Sequence, residues 1–437
     1  MLAMNTTTNA YLDSLLRGYS LAPAGPLGWV NDLRRRALER AHQLTVPSTR
    51  DEAWRFTDLS PLYRLAFKPA RDDAAMVHAA RLAPYMLPEA GTALVFVDGF
   101  FVPALSTLGA STGVTVTNLA SAMQTQPELV RGTLGALAGI DEDAFRAINA
   151  AYFHDGALIH VGRNQVAPAP IHLLFASSRG EVATHPRVLV QLDAGASATV
   201  VEDFVALDAK VYCVNAVSEF NVGQGAQLKH VRMQRESAEA FHIATCAVKV
   251  ARDARYESVS IALGARISRL ALAVEQAGEG AYLGLDGLAL IRDRQVADTH
   301  SFIDHAKPQG TSRQHHKCVV GGSAHGVFNG RILVRPDAQL TDSAQSSRNL
   351  LLSPRAHVDT KPQLEIFADD VKAAHGATIG QLDAEELFYL QTRGLPEATA
   401  RGLLTYGFAA EIADRIPVAS IAKALRKTLL EHTFTQS

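Results

Sequence analysis

Cysteine is nearly absent from this chain. Its 437 residues include three, Cys213, Cys246 and Cys318, which lie far apart and form no CxxC pair. So sparse and odd a set argues for reduced thiols and a cytoplasmic setting. Long hydrophobic runs are missing as well. With no stretch of eighteen apolar residues, neither a transmembrane helix nor a membrane partner is expected. The opening MLAMNTTTNAYLDSLL lacks the basic and apolar segments of a signal peptide. Charge of one sign is not in excess either. A formal net charge of −2 sets up no global field that would recruit nucleic acid or an anionic membrane.

Signatures of nucleotide and hydrolase chemistry are equally scarce. Gly321-Gly322-Ser323-Ala324-His325-Gly326 lacks the Lys-Ser/Thr ending of a phosphate-binding loop, and no GxGxxG opens a helix. ATP hydrolysis by this chain is therefore not expected. No HExxH occurs. A GxSxG match, Gly109-Ala110-Ser111-Thr112-Gly113, is followed by Val114-Thr115-Val116-Thr117, which reads as a strand. A nucleophile elbow needs a helix there, so the match reads as a plain loop.

What is present is an ordinary globular composition, 47% apolar and 20% charged, in a chain long enough for more than one structural unit. Three regions follow from its texture. Residues 1–155 read as helical and mixed. In the first helix Val30, Leu33, Ala37, Leu38, Ala41 and Leu44 recur at helical spacing, with Arg34, Arg35, Arg36 and Arg40 on the surface. The arginines form either a solvated face or an anion site. Trp54 and Phe56, with Arg55 between them, are either packed under a turn or a docking site. Asp98-Gly99 between two apolar runs predicts a type I′ hairpin over 94–102. Residues from about Leu119 to Tyr152 are helical, with 140–143 opening the last helix.

From 156 to about 382 the pattern is short Val/Ile/Leu-rich strands punctuated by Gly-x-Gly-Ala or Gly-Ala, as in 188–196, 220–228 and 281–288. No long amphipathic helix intervenes. Strands without the helices of a doubly wound sheet fit a solenoid of stacked coils, with Gly turning each coil through positive φ. A β-sandwich is the rival, usually smaller than this. Residues 383–437 switch to helix. Asp383 with Glu386 gives N-cap spacing, and Gly394 reads as the residue just past the helix end. Gly402 and Gly407 inside the next helix suit close approach of another backbone, Pro417 breaks the run, and Ile421, Leu425 and Leu429 form the last apolar stripe.

The run VDTKPQLEIFADDVKAAHGATIGQLDAEELFYLQTRGL, Val358 to Leu395, resembles the C-terminal signature of the SufB/SufD family, scaffold components of iron–sulfur cluster assembly. Its DDVK-x-x-HGAT form looks like the SufD branch rather than SufB. The resemblance extends over most of the chain and is weakest before about Arg50. It implies a right-handed parallel β-helix flanked by the N-terminal mixed region and the C-terminal helical domain. It further implies a non-catalytic scaffold that pairs with a SufB-like paralogue and binds a SufC-like ATPase. Pairing with a second copy of itself is compatible with the same family when the chain is isolated. A transient iron–sulfur cluster would form at the interface with the paralogue, with no cofactor bound permanently. A β-helix carbohydrate-active enzyme is the alternative, but the chain has no secretion signal, and 7% aromatic residues give no obvious sugar-stacking row.

Three groups of residues can carry chemistry. His375, next to Gly376 and Thr378, reads as lying on a tight exposed turn after the β region. The resemblance implies that it lies near the interface where a cluster forms, since imidazole can replace thiolate on iron. Family members often carry Cys where this chain has Ala373, so no thiolate is supplied there. The second group is His300, His305, His315, His316, Cys318 and His325. His315 and His316 would point to opposite faces of a strand, which favours a structural role over a metal site. Asp369 and Asp370 are adjacent and for the same reason do not read as an acid–base dyad. In the tail the resemblance implies an ATPase-docking surface, for which Phe388, Tyr389, Arg393, Gly394, Gly402, Tyr406, Gly407 and Phe408 are the candidates.

Overall fold

The computed structural model describes Tyr11, Ser14, Leu15 and residues 27–70, 77–109, 111–141 and 143–434. The helical reading of 1–26 otherwise lies outside the described residues, as do Ala110 and Glu142. From Gly156 to Gly380 the chain winds as a parallel β-helix of about 8 coils. Each coil gives one strand to each of two sheets. The first sheet runs from Gly156–Val161 to the terminal strands His325–Val334 and His357–Ile366. The second runs from Ile171–Ser177 to Thr311–Val320, Thr341–Leu351 and Val371–Gly380.

One corner of the solenoid shows why the glycine spacing looked irregular. Asn164, Gly195, Gly225, Asp253, Gly280, Gln309 and Leu340 all take φ between 55° and 71°. Each donates its N–H to a carbonyl in the next coil, as Gly225 does to Arg252 (2.9 Å) and Leu340 to Asp370 (2.7 Å). The left-handed bend repeats in every coil, but only three of these seven residues are glycine. The others accept a cost of about 1–2 kcal/mol each because the coil-to-coil hydrogen bond fixes the geometry. Gly284 and Gly287, by contrast, lie within the strand Tyr282–Ile291 and mark no corner. A Cβ on Gly287 would stand 2.4 Å from His316 Nδ1, so glycine there makes room for the imidazole of the next coil.

The N-terminal region closes the first end of the solenoid. Thr92–Val97 pairs in parallel with Ile171–Ser177, and Val114–Asn118 pairs antiparallel with Gly156–Val161. Asp98 and Gly99, at φ 49° and 87°, form the expected I′ turn. The helix Gly28–Gln43 buries Val30, Ala37 and Ala41, and Asp143 caps Ala144–Tyr152 through the N–H groups of Phe145 and Arg146. Three of the four arginines of that first helix are engaged in the fold and in local ion pairs: Arg34 donates to Phe153 O, Arg35 pairs with Asp32 and Glu39, and Arg40 donates to Asp141 O. Trp54 is buried, not a docking site. Its ring lies 3.8 Å under the guanidinium of Arg269, which pairs with Asp298.

The outer face of the second sheet is covered by the tail. Val231, Val259, Ile261 and Val319 pack against Ile412, Ile421, Leu425 and Leu429. Each fully buried aliphatic side chain there contributes about 1.5–3 kcal/mol. This two-sided burial explains the near-continuous apolar strands of the sequence. No helix among the described residues is long and apolar enough to cross a membrane.

Candidate functional site: the open end of the solenoid

The terminal strands His357–Ile366 and Val371–Gly380 each pair on one side only. Their free edges present unpaired backbone donors and acceptors, a surface that accepts further strands. Ile366, Phe367 and Ile379 are exposed beside them.

His375 lies in the middle of the last strand, not on a turn, and it is exposed. The tight turn expected from the sequence is thereby corrected: the Gly and Thr around it continue the strand. Register places His375 over Gln345, which itself lies over Gln314. Strand alternation sets this column on the interior side, in phase with Val371, which packs against the solenoid core. The interior changes character along its length. Early coils bury Leu, Val and Phe, whereas the last coils bury Ser312, Gln314, His316, Ser343, Gln345 and Ser347. Gln345 is buried and neither of its amide atoms has a hydrogen-bond partner. A buried amide so placed, directly beneath His375, offers a donor and an acceptor to whatever enters the mouth.

Deeper in, a cavity of about 50 Å³ is lined by Arg232, His242, Ser268, His316, Cys318, Ser347 and Asn349, among others. Burial pushes the imidazole of His316 down to about 3, with the neighbouring His315 adding to the effect. His305 is pushed down to about 4 by burial, and its ring bonds Gln276 Oε1 (2.7 Å) and Ser312 Oγ (3.0 Å). Both imidazoles stay neutral in the fold but would protonate near pH 6.5 when unfolded. Their stabilising contribution is thus complete above about pH 6.5 and declines as pH falls toward 4 and below. Each such histidine adds up to about 1.4 kcal/mol per pH unit to the acid slope. Urea unfolding between pH 7.5 and 4.5 should show this decline, with a shallower slope in His316→Asn. A stability flat across that range contradicts it.

The histidine-rich stretch therefore does not converge. His316 and Cys318 face inward, His315 faces outward, His305 is a core hydrogen-bonding residue, and His300 pairs with Asp298 at 3.1 Å. Asp369 and Asp370 sit in the corner between the terminal strands, where Asp370 bonds Gln339 and Leu340. All three cysteines are buried and free, and burial pushes the thiols of Cys213 and Cys318 up to about 12 and that of Cys246 higher still. Replacing all three with Ala should leave iron and sulfide assembly in a co-expressed complex intact. Loss of iron from a folded triple variant would identify one as a ligand.

The tail divides the docking candidates. Asp383 accepts from the N–H groups of Glu385 (2.7 Å) and Glu386 (3.1 Å), capping Ala384–Thr392. Gly394, at φ 88°, closes that helix, with Leu395 N–H bonded to Leu390 O. The helix buries none of its residues. Phe388 is 67% and Tyr389 56% exposed, and Arg393 packs on the Tyr389 ring at 5.1 Å. Gly407 is exposed with no atom near a built Cβ. Gly402 is corrected: it is buried against this chain's own fold and offers no surface to a partner. Tyr406 and Phe408 pack against the tail core, and Lys317 Nζ donates to Phe408 O (2.7 Å) while sitting 4.6 Å from the Phe408 ring.

Comparison with known proteins accounts for this architecture. Residues 175–408 match the family described as SUF system FeS cluster assembly, SufBD core domain, and residues 7–173 match the SufBD protein N-terminal region. The chain belongs to the SufBD family. An iron–sulfur cluster assembly SufBD family protein of Synechocystis is 40% identical over 409 residues, covering 90% of this chain and 89% of that protein. The iron–sulfur cluster assembly protein SufD of Escherichia coli is 33% identical, covering 87% of each. SufD of Bacillus subtilis is 26% identical, covering 91% and 92%. The SufBD core match spans the terminal coils and reaches into the tail, so the open mouth and all eight docking candidates lie within it.

Proposed function

We propose that this SufBD family member is a SufD-like scaffold subunit, not itself an enzyme, acting in the cytoplasm. It pairs with a SufB-like paralogue through the free edges of His357–Ile366 and Val371–Gly380. It docks a SufC-like ATPase on Ala384–Thr392 and the exposed face around Gly407. A nascent iron–sulfur cluster, the cargo, forms transiently where the two solenoids meet. His375 supplies an imidazole to it, and thiolate ligands come from the partner, because Ala373 and the buried cysteines supply none. The observation that carries this reading is His375 on the interior row of a terminal strand with one free edge, over an amide with no partner. The site is half of an enclosure that a second sheet edge would complete. The SufD assignment rests on the DDVK-x-x-HGAT form and on relatives named SufD. Family membership also weighs against the carbohydrate-active alternative.

Co-expression with SufB-like and SufC-like chains, followed by gel filtration and iron and sulfide assay, tests the proposal. The expected result is one complex holding all three chains. Phe388→Ala with Tyr389→Ala should release the ATPase but keep the paralogue, since both side chains are exposed. Retention of the ATPase by that variant would move the docking surface elsewhere.

A further inference from the structure

Away from the open mouth, three groups with metal-ligand chemistry meet on the outer face of the first sheet. His325 opens one strand and His357 opens the next, one coil further on, and the register sets them side by side. Asp359 lies two residues beyond His357 and shares its face. His325 Nε2 is 2.7 Å from Asp359 Oδ2, and His357 Nε2 is 3.2 Å from the same oxygen. The two rings are 4.9 Å apart, and the three candidate ligand atoms lie within 4.8 Å of one another. The His325 and Asp359 side chains are partly buried and so held in place, whereas that of His357 is 65% exposed. Lys361, the next residue on that face, is paired with Glu52 at 2.6 Å.

We propose that His325, His357 and Asp359 form a site for a borderline divalent transition cation of the Zn²⁺, Co²⁺, Ni²⁺ or Fe²⁺ class. Two imidazole nitrogens and one carboxylate oxygen suit these ions, whereas Mg²⁺ and Ca²⁺ prefer all-oxygen sets. Bonds of about 2.0–2.2 Å place the ligand atoms around a tetrahedral ion roughly 3.4 Å apart, so the two contacts to Asp359 need only small shifts, and the three ligand atoms, already within 4.8 Å of one another, can close on the ion. In the ion-free arrangement two imidazole N–H groups share one carboxylate oxygen. A bound ion takes that oxygen and both Nε2 atoms as ligands, and each imidazole then carries its proton on Nδ1. Three protein ligands leave positions open for water or an exogenous ligand, on the side that His357 exposes. Because the ligands come from two successive coils, the ion also ties down the terminal coil of the first sheet, the one with a free edge. The site is separate from His375, which lies on the second sheet and faces the interior.

The test uses the untagged full-length chain, stripped of metal and titrated with Co²⁺, whose visible absorption reports nitrogen and oxygen ligation. Wild type and His375→Ala should both bind one equivalent at this site, displaceable by Zn²⁺. His357→Ala and Asp359→Asn should bind it roughly tenfold more weakly or worse. Zn²⁺ should raise the melting temperature of wild type and not that of His357→Ala. The exposure of His357 means that its removal should leave the fold intact, which circular dichroism checks. The proposal is overturned if wild type shows no saturable Co²⁺ absorption. It is overturned equally if His357→Ala and Asp359→Asn bind as wild type does, or if the signal disappears with His375→Ala instead.

Discussion

Arg187→Met is expected to destabilise the protein by about 3–5 kcal/mol, the range for removing one partner of a buried ion pair. Arg187 and Glu219 are each 1% exposed, and Arg187 Nη2 donates to Glu219 Oε1. Burial alone would raise the Glu219 carboxyl. The Arg187 charge and the N–H groups of Gly135 (2.8 Å), Leu137 (2.8 Å) and Ala138 (3.0 Å) hold it below its ordinary value. Glu219 therefore ties the loop after the helix Pro127–Thr133 to the solenoid wall. Arg187 Nη1 donates in addition to Asn149 Oδ1 (3.0 Å), while Asn149 Nδ2 bonds Pro186 O and Asn215 O. Without Arg187 the carboxylate keeps its backbone donors but loses its counter-charge. Arg187→Lys should recover only part of the loss, because a single ammonium cannot reproduce the fork. Adding Glu219→Gln to Arg187→Met should restore stability relative to the single variant, and a double-mutant cycle by urea unfolding measures the coupling. A single-variant loss below about 1 kcal/mol would mean that water reaches the pair.

His375→Ala is the second large effect, on assembly rather than on stability. The side chain is exposed and, among the described residues, makes no hydrogen bond, so its removal should leave the melting temperature of this chain unchanged. Iron content of the complex with the SufB-like and SufC-like partners should fall roughly tenfold or more, the scale on which losing a metal-site group acts. Complex size on gel filtration should not change. Gln345→Leu extends the test. Replacing a buried amide without partners by an apolar side chain of similar size should be neutral or stabilising. If Gln345 meets the cargo beneath His375, iron should nonetheless fall. Normal iron in both variants would remove the mouth of the solenoid from the chemistry.

Chain-local features were legible in the sequence because their causes are local. The I′ turn at Asp98-Gly99, the cap at Asp383, the helix end at Gly394 and the limits of the β region at 156 and 380 each rest on residues within a few positions of one another. The solenoid followed from the absence of helices between strands. The corner column was only partly visible, because Asn164, Asp253, Gln309 and Leu340 adopt the left-handed bend without being glycine. There the coil-to-coil hydrogen bond overrides intrinsic preference.

The inward or outward sense of each residue depended on packing. His375 was placed on a turn because Gly and Thr adjoin it, yet pairing with Thr341–Leu351 keeps that stretch extended. Gly402 and Gly407 look alike in sequence, but the fold buries one and leaves the other in solvent. The sequence alone determined an almost thiol-free, helix-flanked β-solenoid that resembles a known family of scaffolds. Only the tertiary structure decided which side chains meet. His325 and Asp359 are 34 positions apart and Gln345 and His375 are 30 apart, and what joins each pair is coil register, a property of the wound sheet that no window of sequence contains.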